Sequence, residues 1–229
     1  DKPPITMGFR DTLICNGDLL QLQASGQGVF SWTPLTNITN ANTGTPIVNP
    51  AVTTIYRTRL DIDGCINNDS VRVRVVDFVT LRANKDTTIC QGDAAQLGAT
   101  SDGLRFSWTA SPAAPIDKPT IINPVATSTT TTTNYTIRAT IGGCNAEDVL
   151  TVTTVPYPLV NAGPAVTICF NASAQLNAST DGTSFTWSSP SLLSNPNILN
   201  PIATPPRTRD FVLTAVKEGS GCPKPSSDT

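Results

Sequence analysis

The chain has 229 residues, 14% of them charged, with a formal net charge of −2, no histidine and six cysteines. That length holds one large domain or two to three small ones, and so little charge predicts no electrostatic hold on nucleic acid or an anionic membrane. No apolar run approaches the ~20 residues of a membrane span, and the abundance of Thr, Ser, Asn, Gly and Pro favours strands and turns over helices.

The opening "DKPPITMG" reads as the edge of something longer. The first patterned stretch is "DTLICNGDLLQLQASG", residues 11–26. Cys15 precedes a turn at Gly17-Asp18. Leu20, Leu22 and Ala24 then alternate with Gln21 and Gln23, which predicts a half-buried strand. "VFSWTP" follows and puts Phe30 and Trp32 on one face with Ser31 on the other, a second strand carrying a large aromatic core. A polar stretch leads to "VNP". "YRTRLDID" then points Tyr56, Thr58, Leu60 and Ile62 one way, and Arg57, Arg59, Asp61 and Asp63 the other. A Gly-Cys turn at Cys65 and the strand "DSVRVRVV" close the unit.

The whole pattern then returns twice, as "DTTICQGDAAQLGATS" at 86–101 and "AVTICFNASAQLNAST" at 165–180. Cys15, Cys90 and Cys169 lie 75 and 79 residues apart; Trp32, Trp108 and Trp187 lie 76 and 79 apart; Cys65, Cys144 and Cys222 lie 79 and 78 apart. All six cysteines and all three tryptophans belong to the repeat. A period near 77 is too long for a solenoid and suits a small β-sandwich. The expected fold class is therefore all-β, with three tandem immunoglobulin-like sandwiches at 1–77, 78–156 and 157–229. Trp32, Trp108 and Trp187 are the expected core aromatics. The junctions fall near Asp77-Phe78 and Pro156-Tyr157-Pro158, the latter a stiff spacer with Tyr157 packed between units. The tract "TSTTTTT" ahead of Tyr135 reads as a longer loop or strand edge. The third copy stops at "SSDT", where the others are only beginning their last strand.

Reactive chemistry is hard to place. Without histidine there is no Ser-His-Asp or Cys-His nucleophile and no imidazole metal ligand. No C-x-x-C spacing suggests zinc or a redox dithiol. "DIDG" at 61–64 lacks the remaining positions of a calcium loop and reads as a hairpin turn. The expectation is no enzyme, no metal and no cofactor, with no site unique to one copy. Asp-Ser/Thr-apolar triplets make Thr12, Ser70 and Thr87 candidate O-glycosylation sites; Asp-Thr is also common at strand starts.

The cysteine stretch, the "SWTP" strand, the "NP" lead-in to a "TTxY" strand and the "GC…DSV" hairpin together resemble the PKD-like and Ig-like repeats of long Bacteroidota surface proteins, including gliding-motility adhesins and type 9 secretion cargo. The resemblance spans all three copies, with departures at "CFNAS" and at Phe211, which replaces the tyrosine. It implies an extracellular, cell-surface stalk, filament or adhesin segment. Its implied partners are neighbouring repeats of the same or identical chains, and surface glycans or other surface proteins. The alternative is a set of carbohydrate-binding modules attached to a secreted enzyme, which would need an exposed aromatic patch.

An exported chain should oxidise its cysteines, and two pairings are open. One bond per unit gives Cys15–Cys65, Cys90–Cys144 and Cys169–Cys222. The immunoglobulin-like strand order leans to a staggered scheme. It places Cys15 and Cys65 at opposite ends of a unit, roughly 25–30 Å apart by strand rise, where a disulfide needs Cα atoms within ~7 Å. Consecutive units then share Cys15–Cys144 and Cys90–Cys222, leaving Cys65 and Cys169 for neighbours.

Overall fold

In the computed structural model, residues 2–128 and 130–229 are described. In the first copy the strand Asp11–Cys15 runs parallel to Cys65–Val76. That strand pairs antiparallel with Thr54–Ile62, which pairs with Val29–Thr33. A facing layer joins Ile47–Val48 to both Leu20–Gln21 and Ile38–Thr39, and Thr6–Met7 to Ala24–Ser25. This is the A′GFC sheet over the ABED sheet of an immunoglobulin-like sandwich. The second copy repeats the larger sheet with Thr87–Cys90, Cys144–Val155, Thr132–Ile141 and Arg105–Ser111.

The inward strand faces supply the cores. Leu22, Trp32, Tyr56, Leu60, Val71 and Val73 are buried together in the first copy. Leu97, Trp108, Tyr135, Ile137, Leu150 and Val152 take their places in the second. Trp187, Leu193 and Leu213 do so in the third. Each tryptophan is at most 5% exposed. Each indole N–H donates to a loop carbonyl, on Thr43, Ile121 and Ile198 respectively. The indole's one polar group is thereby satisfied inside the core.

The strand expected across 20–24 is broken into Leu20–Gln21 and Ala24–Ser25 because its halves have different partners. "DIDG" is a two-residue hairpin turn with Asp63 and Gly64 both at positive φ. The Asp61 carboxylate accepts the Gly64 N–H there. The threonine tract is not simply a loop. Ser128 and Thr133 are buried, their hydroxyls 2.8 Å apart, and the Thr154 hydroxyl donates to the Thr130 carbonyl. Thr129 of that tract lies outside the described residues.

The third copy differs at one edge. Ser226–Asp228 pairs with Leu213–Val216, where the other copies have their last strand. Residues 164–169 carry no strand. Beside them a groove of about 640 Å³ reaches Leu176, Trp187, Ala203 and Phe211.

Burial raises the phenol pKa values of Tyr56 and Tyr135. Unfolding returns them to about 10, so the fold favours the neutral phenol; this contribution is intact below about pH 10 and is lost as pH climbs through the raised folded-state values. The urea midpoint should therefore fall steeply above about pH 10. An equal midpoint at pH 9 and 11 would show that ionisation does not load the core.

Candidate functional site

The groove of the third copy is lined by Cys169, Arg207, Arg209 and Asp210 besides its apolar residues. Among the described residues no three His, Cys, Asp or Glu side chains cluster as a metal site, and no helix is long and apolar enough to cross a membrane. The built features are the joints between copies, which begin with a turn. After Cys15, Cys90 and Cys169 the chain reverses through Gly17, Gly92 and Asn171, all at positive φ. Glycine and asparagine enter that region most readily. The N–H groups of Asp18, Asp93 and Ala172 donate back to the three cysteine carbonyls. Each cysteine thus sits at the trailing end of its copy. Cys65 and Cys144 begin the strands that follow two-residue hairpin turns, at the opposite end.

Two disulfides bridge consecutive copies: Cys15–Cys144, with Cα atoms 5.3 Å apart, and Cys90–Cys222, at 4.7 Å. Cys65 and Cys169 are free and exposed. This is the staggered pairing, which leaves Cys65 and Cys169 without a partner inside the chain. The bond uses the end where one copy meets the next, and these two cysteines face away from any joint in it.

The two joints are held differently. At the first, the Asp18 carboxylate accepts the N–H of Gly143 at 3.1 Å and that of Cys15 at 3.0 Å. A Cβ on Gly142 would run into that carboxylate. Around the bond, Val79, Ala139 and Ile141 are buried, with Leu13, Val76 and Phe106 packed against them. Val79 is the anchor; Phe78, expected at the junction, is 68% exposed. At the second joint, Asp93 receives the Lys224 ammonium at 2.6 Å. That hydrogen bond, chiefly, holds the Lys224 pKa above its ordinary value, with Tyr157 contributing. Pro158 is buried and Tyr157 half-buried. The same device seats both linkers: Asp102 accepts the N–H of Thr80, and Asp181 that of Leu159, each at 2.7 Å.

The glycosylation candidates fall in different settings. Thr12 and Ser70 are half-buried and Thr87 is exposed. The aspartate before Ser70 has structural work: Asp69 pairs with Arg10 at 2.6 Å, and this hydrogen bond lowers its pKa. The matching Asp148 and Asp228 accept the N–H groups of Ala83 and Ala162.

One surface feature belongs to the first copy alone. Four arginines share one sheet face of the first copy, and the second copy has only one at the matching positions. The signal was present as Arg57/Arg59 and Arg72/Arg74, each pair at strand spacing. Only the register between the two strands shows that they stand together.

No family model matches the chain, and no curated protein matches it. Among solved structures it is similar to extracellular domains 3–5 of Drosophila OTK, at 11% identity over all of this chain and 95% of that one, with a TM-score of 0.39. It is similar to a three-Ig structure of titin at 10% identity over 99% and 98% of the two chains, with a TM-score of 0.39. It is also similar to the N-terminal four Ig domains of Dscam1, at 10% over 99% and 77%, with a TM-score of 0.42. The strand order itself defines the fold.

Proposed function

We propose that the chain is a non-catalytic array of extracellular Ig-like repeats, with units at 1–77, 78–156 and 157–229, acting as a stalk, filament or adhesin segment. The supporting observation is the pair of disulfides that closes both joints between consecutive copies. Disulfides suit an oxidising compartment outside the cytosol. The motif resemblance to Bacteroidota surface proteins makes a bacterial cell surface, reached through type 9 secretion, the proposed setting. Thr87, the exposed candidate, is the O-glycosylation site to test there by intact mass.

The free cysteines suit a neighbouring repeat of the same or an identical chain, and the partner proposed is a second copy placed head to tail. Cys169 of one chain would meet Cys65 of the next, as Cys15 meets Cys144. Each such bond takes two thiols to one disulfide, consuming one molecule of oxidised glutathione and releasing two of the reduced form. Incubation of concentrated protein with oxidised glutathione should give a ladder of oligomers on non-reducing gels, abolished by Cys65→Ser. A chain that stays monomeric, or joins only through identical cysteines, counts against the filament. Small-angle scattering of the monomer should show a maximum dimension on the order of 100–120 Å, three units of about ten residues at ~3.4 Å each. A compact globule would contradict the array.

A further inference from the structure

On the first copy, the outward face of the larger sheet carries Arg57 and Arg59 on the strand Thr54–Ile62, and Arg72 and Arg74 on Cys65–Val76. Arg57 stands opposite Ser70 and Arg59 opposite Asn68, so strand alternation puts all four guanidiniums on one face. All four are exposed. Arg59 pairs with Asp61 and Arg74 with Asp11, each at 2.7 Å. Arg57 and Arg72 have no ion-pair partner among the described residues. Ser31, Thr33, Asn68 and Ser70 line a shallow depression of about 510 Å³ beside Arg57 and Arg59.

The sandwich does not need these charges. The second copy builds the same sheet with Thr136, Arg138, Thr151 and Thr153 at the four positions, and Arg138 there faces Glu147 at 3.7 Å. Gathering like charges costs self-repulsion, and this cluster sits in a chain whose net charge is −2. The geometry points to an anion-binding face whose ligand is an acidic polysaccharide, a sugar chain bearing carboxylate or sulfate groups.

Guanidinium forks match such oxyanions in bidentate fashion. Same-strand arginines repeat at about 7 Å and neighbouring strands at about 4.8 Å, which suits anions spaced along a polymer. Hydroxyls and an amide lie between the charges for the sugar hydroxyls. Val29, Ser31, Thr33, Ile55, Ile66 and Leu13 fill out the face beside Asp11 and Asp61, so it offers no aromatic platform on which nucleic-acid bases could stack. A duplex would need many more phosphate contacts than this patch can make.

The test uses the whole chain on immobilised dextran sulfate, polygalacturonate and neutral dextran. The variant Arg57→Thr/Arg72→Thr/Arg74→Thr installs the residues of the second copy. The expected result is retention of the unmodified chain on an anionic matrix but not on neutral dextran. Binding should weaken as salt rises from about 50 to 200 mM, and the variant should bind at least ~10-fold more weakly with unchanged melting. Retention on one anionic matrix alone supports the proposal and names the anion. Should the triple variant melt lower, Arg57→Glu at its exposed position should abolish binding by itself. Equal binding by variant and parent, or no retention on either anionic matrix, overturns the proposal. So does stronger competition by duplex DNA or phosphatidylserine vesicles than by the soluble polysaccharide.

Discussion

Trp108→Ala is expected to destabilise the second copy by about 3–5 kcal/mol, most of the stability of a small domain. The indole is 3% exposed and packs among Leu97, Tyr135, Ile137 and Leu150. Truncation leaves a cavity between two sheets whose hydrogen-bonded ladders resist collapse, and it strands the Ile121 carbonyl that accepts from Nε1. Trp108→Phe keeps most of the volume and loses the hydrogen bond, so about 1–2 kcal/mol is expected. Trp187→Ala should cost less, because a groove already opens beside that ring. Denaturant unfolding of the three variants measures the order. A loss under 1 kcal/mol for Trp108→Ala would mean that the ring does not organise this core.

Removing Cys15–Cys144 is expected to have an effect of similar size. The bond closes a separation of 129 residues. The chain-entropy relation gives about 5 kcal/mol for a loop of that size, provided the joined copies unfold together. Reduction should lower the melting temperature and split one transition into several. The joints should not respond alike. The first keeps the apolar cluster around Val79 and Ile141 and the Asp18 contacts after reduction. The second keeps an exposed Asp93–Lys224 pair, and exposed ion pairs contribute about 0–1 kcal/mol. Reduced protein should therefore loosen between the second and third copies first. Limited proteolysis near Pro156–Pro158, compared with 77–80, reads this directly; equal cleavage at both linkers would contradict it.

Much of the fold was legible. Alternation at Leu20, Leu22 and Ala24, and at Phe30 and Trp32, is a local signal, and the sheets bury that side. The break within 20–24 was not, because it depends on which strand each half meets. Cysteine spacing alone suggested one bond per unit, which the structure does not have. The choice depends on which ends of the sandwich touch, which is a property of strand order. The threonine tract was legible as a loop or strand edge, but composition cannot show hydroxyls satisfying one another inside a fold, as Ser128 and Thr133 do. The arginine face stayed hidden for the same reason as the pairing. Arg57 and Arg72 are fifteen residues apart in sequence, and only the hairpin register sets them side by side.

The staggered bonds also limit how far the protein can be drawn out by its ends. Tension entering at the N-terminus follows residues 1–15 and crosses to Cys144. It then runs back along the chain to Cys90, crosses to Cys222, and leaves by the last residues. That shortest covalent route is about 75 residues, on the order of 260 Å at ~3.4 Å per residue, against on the order of 780 Å for the reduced chain. Residues 16–89 and 145–221 become slack that a pull cannot straighten. Oxidised, the chain meets a built-in stop at roughly a third of its contour length, and the segment taut at that stop is 90–144, most of the middle copy.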